Sequence, residues 1–88
     1  MQTKLIKFYS DACAPCKAMA PIVDAVTQER GIELDSINIG TAEGINMARS
    51  MGVRQVPTFV LLKDGETKGV RSGAMPEEDF IKFVEEAS

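Results

Sequence analysis

Residues 4–39 read as a strand, a helix and a second strand, and that order leaves few folds open to the chain. Lys4-Leu5-Ile6-Lys7-Phe8-Tyr9 is short, apolar and aromatic and ends at Ser10-Asp11, as a buried strand running into a loop does. From Ala14 to Arg30 the apolar residues Met19, Ile22, Val23 and Val26 recur at helical spacing, and Gly31 supplies the stop. Pro21 lies inside that helix, where its missing N–H is expected to bend or loosen the preceding turn. Ile32 to Ile39 alternates apolar and polar residues, the pattern of a half-buried strand. Two strands joined by a helix of about sixteen residues pair in parallel through a right-handed crossover.

The rest of the chain adds a helix, a hairpin and a last helix. Thr41 is placed to cap a short helix over 42–50, with Ile45, Ala48 and Met51 toward the core, Gly52 ending it and Gly44 weakening it. Thr58 to Lys63 and Glu66 to Arg71 flank Asp64-Gly65, the turn chemistry of an antiparallel hairpin, and Gly69 marks a candidate bulge. Pro76 at the first helical position, followed by Glu77, Glu78 and Asp79, opens a helix whose Phe80, Ile81, Phe83 and Val84 point inward. The plan is βαβ, a short helix, then ββα, within one domain over residues 1–88.

Both cysteines of the chain fall in Ala12-Cys13-Ala14-Pro15-Cys16-Lys17, three residues apart at the start of the first helix. Residues so spaced on one helical face have Cβ atoms about 5–6 Å apart, so the two Cα atoms can fall inside the window a disulfide needs. Cys13 at the helix N-terminus meets free N–H groups and the positive end of the macrodipole, which favour a thiolate. Pro15 in the first turn loses no hydrogen bond there. With no histidine and only two cysteines, one chain cannot complete the usual four-ligand zinc site, and Cys–His nucleophilic catalysis is excluded.

Ten Lys and Arg against thirteen Asp and Glu give a net charge of −3 without a basic run, which argues against a nucleic-acid surface. No cationic leader and no long apolar segment is visible, so the sequence reads as a cytoplasmic protein without a membrane span. In that compartment a Cys-x-x-Cys pair is redox-active or metal-binding more often than a structural staple.

These features together resemble the thioredoxin family. Phe8-Tyr9-Ser10-Asp11-Ala12-Cys13-Ala14-Pro15-Cys16-Lys17 and Pro21 are similar to that family's active-site segment and its helix proline. Val56-Pro57-Thr58, the Lys63-Asp64-Gly65 turn and Ser72-Gly73-Ala74 are similar to its later motifs, while its usual first strand and helix have no counterpart. The resemblance implies a thioredoxin-like α/β fold, a four-stranded mixed sheet flanked by three helices. It also implies a protein-disulfide reductase in which Cys13 attacks and Cys16 resolves, with no organic cofactor or metal. Ala12, Ala14, Pro15, Val56, Pro57, Gly73, Ala74 and Met75 would form the apolar face that receives a disulfide-containing protein. Pro57 would be cis, Val56 would offer its backbone, and a thioredoxin-reductase-like enzyme would recharge the monomer. The rival readings are a glutaredoxin-like electron donor recharged by glutathione or thioredoxin reductase, and a module sharing zinc or an iron–sulfur cluster between two chains.

Three positions depart from the family pattern. Ala12 stands for its tryptophan and Ala14 for its glycine. Lys7 stands for a buried aspartate credited with deprotonating the second cysteine, and the lysine that accompanies that acid falls near Ser36. Lys7 therefore either snorkels to water along its stem or points inward beneath the pair, where its charge would tune the pKa of Cys16.

Overall fold

In the computed structural model, which describes residues 2–87, seven elements follow in the order expected. They are β1 Thr3–Tyr9, α1 Ala14–Glu29, β2 Glu33–Asn38, α2 Ala42–Ser50, β3 Thr58–Lys63, β4 Glu66–Ser72 and α3 Glu77–Ala87. The strands form one sheet in the order β2-β1-β3-β4, with β1 parallel to β2 and antiparallel to β3, and β3 antiparallel to β4. Two of these directions follow from the connections: a helix joins the parallel pair, and a two-residue turn joins the last antiparallel pair. Both turn residues have positive φ, 52° at Asp64 and 83° at Gly65, as a primed turn demands.

β1 and β3 are the central strands, and each is buried on both faces. Leu5, Phe59 and Leu61 look toward α1 and α3, packing with Met19, Val23, Val26, Phe80, Phe83 and Val84. Ile6, Phe8 and Val60 look the other way, toward Ala48 of α2. Burying each of these large side chains contributes about 1.5–3 kcal/mol, so the two clusters hold the helices to the sheet.

The structure differs from the sequence reading in two places. The core side of α2 is Gly44, Met47, Ala48 and Met51, whereas Ile45 sits off the cluster. The rotation follows from Gly44, where a Cβ would overlap the carbonyl of Asn38, so the helix lies closer to the end of β2 than a side chain permits. Pro76 caps α3 instead of opening it, its carbonyl accepting from the N–H of Asp79 and Phe80 at 3.0 and 3.1 Å. As expected, Pro21 lies inside α1, which spans Ala14 to Glu29, and its ring is exposed on the outer side.

Gly69 has a packing role. Leu61 pairs with Gly69 and Leu62 with Thr67, so Lys68 is the extra residue of a bulge. A Cβ on Gly69 would stand 2.9 Å from Ala87 Cβ and 3.0 Å from Phe83 Cε1, so its bare backbone is what lets α3 lie against β4.

Candidate active site

Sheet register collects the expected site at one end of the molecule. Phe8 pairs with Thr58, and Thr58 with Ser72, so the segments following β1, preceding β3 and following β4 emerge side by side. These segments carry Ser10 to Cys16, Val56-Pro57 and Gly73 to Met75. Two hydrogen bonds tie them together: the N–H of Gly73 donates to the Pro57 carbonyl at 2.8 Å, and the N–H of Met75 meets Met19 Sδ of α1 at 3.4 Å. Thr58 Oγ1 adds a third link, donating to the Gln55 carbonyl at 2.6 Å and lying 2.9 Å from Ser72 Oγ. The Val56–Pro57 peptide bond is cis.

Cys13 is the cap of α1, with extended backbone at φ −91° and ψ 102°. Its Sγ accepts the backbone N–H of Cys16 at 3.1 Å, the place an Asp or Ser oxygen takes at other helix starts. Cys13 and Cys16 are joined as a disulfide with Cα atoms 5.2 Å apart, inside the range that lets the bond form without moving the backbone. In the disulfide form both residues are mostly covered, Cys13 at 9% exposure and Cys16 at 4%. The order that the helix position implies is kept, with Cys13 nearer the surface. Exposed Ala12, Ala14 and Pro15 surround the pair, and Val56, Gly73 and Met75 are half-buried beside exposed Ala74. Among the described residues the N–H and C=O of Val56 and of Ala74 have no hydrogen-bond partner.

Lys7 lies on the α1 side of β1, one residue pair from the site. It is only 9% exposed and lines a cavity of about 220 Å³ together with Tyr9, Ser10, Asp11, Cys16, Lys17 and Ala20. Its Nζ sits 5.6 Å from the centroid of the Tyr9 ring, and no described carboxylate pairs with it. Tyr9, Ser10, Asp11, Lys17 and Ala20 escaped the sequence reading as site residues, although most of them stand in the segment that carried the resemblance. Asp11 is braced by Asn38, whose Nδ2 donates to its Oδ1 at 3.2 Å.

The family model described as Thioredoxin matches residues 1–86. The chain belongs to the thioredoxin family. It is 36% identical over 81 residues to a chloroplastic thioredoxin of Arabidopsis thaliana, covering 92% of this chain and 42% of that protein. It is 32% identical over 73 residues to Thioredoxin 1 of Synechococcus elongatus, covering 83% and 68%. A variant thioredoxin from Halobacterium salinarum superposes with a TM-score of 0.88 at 30% identity, over 98% of this chain and 74% of that one. Fasciola hepatica thioredoxin does so at 0.86 and 27% identity, over 99% and 82%. Against the plant protein and an M-type chloroplastic thioredoxin of Chlamydomonas reinhardtii the chain spans 42% and 58% of the relative's length, about half. This thioredoxin-family chain has no helix, among the described residues, long and apolar enough to cross a membrane.

Proposed function

We propose that this chain is a thiol–disulfide oxidoreductase that reduces disulfides in other proteins through Cys13 and Cys16, working as a single domain and a monomer. The observation that carries this reading is the placement of Cys13 as the helix cap, its sulfur accepting the Cys16 N–H at 3.1 Å. In the reduced chain the same N–H and the helix N-terminus stabilise a thiolate, which is the nucleophile in disulfide exchange. The Cys13 thiolate attacks one sulfur of the target disulfide, a Cys13–target bond forms, and the other target sulfur leaves as a thiolate. The Cys16 thiolate then attacks Cys13 Sγ, the Cys13–Cys16 bond closes, and the second target sulfur departs with the bonding electrons. Two electrons have passed to the target, which takes up protons from water. A thioredoxin-reductase-like enzyme returns the pair to the dithiol.

Substrate docking uses main-chain pairing. The free N–H and C=O of Val56 and Ala74 suit an extended backbone laid beside the disulfide, and Ala12, Ala14, Pro15, Gly73 and Met75 supply a surface with few protruding side chains, whereas Pro57, expected on that surface, is fully buried beneath it and acts through the backbone it shapes. A reducing compartment such as the cytoplasm is where a reductase of this kind operates. The glutaredoxin and shared-metal readings are less well supported, because the matched family and both structural relatives are thioredoxins.

The test is reduction of insulin disulfides with dithiothreitol or a thioredoxin reductase as electron source, run beside a glutathione-fed control. Precipitation of the insulin B chain accelerated by the protein supports the reading. Activity only with glutathione moves it to the glutaredoxin class, and no acceleration with any donor removes it. Cys16→Ser should trap targets as mixed disulfides and Cys13→Ser should trap none; equal trapping by the two variants overturns the assignment of attacking and resolving sulfurs.

A further inference from the structure

Lys7 is the one charged residue among the buried side chains of the described chain, and it faces the cavity that Cys16 also lines. A buried ammonium without a counter-ion is costly, and a lysine that only needed to snorkel has water within reach along its stem. Here the amine is held instead over the Tyr9 ring at 5.6 Å, a contact that fixes the cation without neutralising it. The other charged groups of the cavity are Asp11 and Lys17, both exposed, and the Asp11 carboxylate is engaged by Asn38. The residues in register with Lys7 on the neighbouring strands, Ser36 and Phe59, carry no charge, and the first-turn acids of α3 do not line the cavity. Lys7 is therefore the one buried charge on the walls that Cys16 shares.

We infer that the Lys7 ammonium holds Cys16 as a thiolate once the pair is reduced, making Lys7 a positioning residue for the charge of the resolving sulfur. The inference rests on the reading of the pair as a disulfide reductase. Its consequence is that resolution needs no general base. The Cys16 proton has already gone to solvent when the mixed disulfide forms, so the sulfur attacks Cys13 Sγ directly as the Cys13–target bond breaks. A cation beside the thiolate also stabilises the reduced state and makes the pair more oxidising.

The experiment titrates Cys16 by its ultraviolet thiolate absorbance in the reduced Cys13→Ser protein, which removes the coupling between two interacting thiols. The same background carries Lys7→Met, Lys7→Gln and Lys7→Arg. The Cys16 midpoint should lie at about 7 or lower, against about 8.5 for an ordinary thiol, rise by about one unit in the Met and Gln variants, and stay low with Arg. The reduction potential of the intact pair, with both cysteines restored, is then read against pH in the unaltered protein and in K7M and K7Q. Above the midpoints of both thiols, K7M should make the pair more reducing by about 30 mV, the equivalent of a tenfold change in its equilibrium constant. Near neutrality, where little Cys16 is ionised in the variant, the difference should shrink. An ordinary or raised midpoint with Lys7 in place overturns the inference even where the variants fail to fold, and so does an unchanged midpoint and potential in K7M and K7Q. Insulin reduction by the unaltered protein is the separate readout of the parent reading: its failure alongside a lowered Cys16 midpoint would remove the reductase and leave the Lys7 coupling standing.

Discussion

Gly44→Ala should destabilise the protein, although helix propensity alone calls for the reverse. Replacing glycine by alanine within a helix is favourable by at most about 1 kcal/mol. At Gly44 the added methyl would overlap the Asn38 carbonyl oxygen, would stand 2.7 Å from the carbonyl carbon and would stand 2.9 Å from Thr41 Oγ1. The carbonyl belongs to the end of β2 and is itself engaged, accepting from Thr41 Oγ1 at 3.0 Å and from the Thr41 N–H at 3.3 Å, so it cannot swing aside. Relief requires the start of α2 to move off the sheet. That strains the cap in which Gly44 N–H donates to Thr41 Oγ1 at 2.9 Å, a contribution of about 1 kcal/mol. It also loosens Met47 and Ala48 against Ile6, Phe8 and Val60, in the range of about 1–3 kcal/mol that overpacking costs. The balance is a net loss of about 1–3 kcal/mol, or about 4–8 °C of Tm for each kcal/mol in a chain of this size. Urea unfolding followed by circular dichroism, with the slope held in common between the two proteins, measures it. A Gly44→Ala protein as stable as the parent, or more stable, refutes the claim that α2 needs a bare backbone against Asn38.

Two further substitutions probe the opposite face. Phe80→Ala empties a fully buried site whose ring meets Phe59 edge-on at a centroid distance of 5.2 Å, and should lower unfolding free energy by about 3–5 kcal/mol in the same urea assay. Gly69→Ala drives a methyl into Ala87 and Phe83 of α3 and should cost about 1–3 kcal/mol, whereas alanine at a merely permissive strand glycine would stabilise; thermal unfolding gives the sign.

Most of the architecture was legible because each element announces itself locally. The strand runs of β1 and β3, the helical spacing of Met19, Val23 and Val26, and the Asp64-Gly65 turn are short-range signals that tertiary packing has no reason to override. The directions of the β1–β2 and β3–β4 pairs followed from the lengths of their connections, whereas the antiparallel pairing of β1 with β3 joins elements far apart in the chain and is visible only in the sheet. The reading of α2 was less complete. Its apolar residues allow more than one inward face, and the face in use was chosen by how closely its backbone approaches Asn38, a residue on a different element. Gly44 and Gly69 looked like weaknesses or bulge markers in the sequence, because a missing side chain has no pattern of its own; what occupies the space is visible only in three dimensions.

The site divides in the same way. The spacing of Cys13 and Cys16 and their position at a helix start are properties of the sequence, while the extended backbone of Cys13 as the helix cap belongs to the structure. The gathering of Val56-Pro57 and Gly73 to Met75 at the end of the sheet that carries the pair depends on the register Phe8 to Thr58 to Ser72, which joins residues far apart in the chain. Lys7 is the sharpest case. Strand alternation put it on the face of Leu5 and Tyr9, but a lysine stem is long enough to reach either water or the core, so the sequence left both destinations open. Tertiary packing decided between them: α1 closes over that face of β1, leaving a cavity where the amine lies against Tyr9 and shares its walls with Cys16.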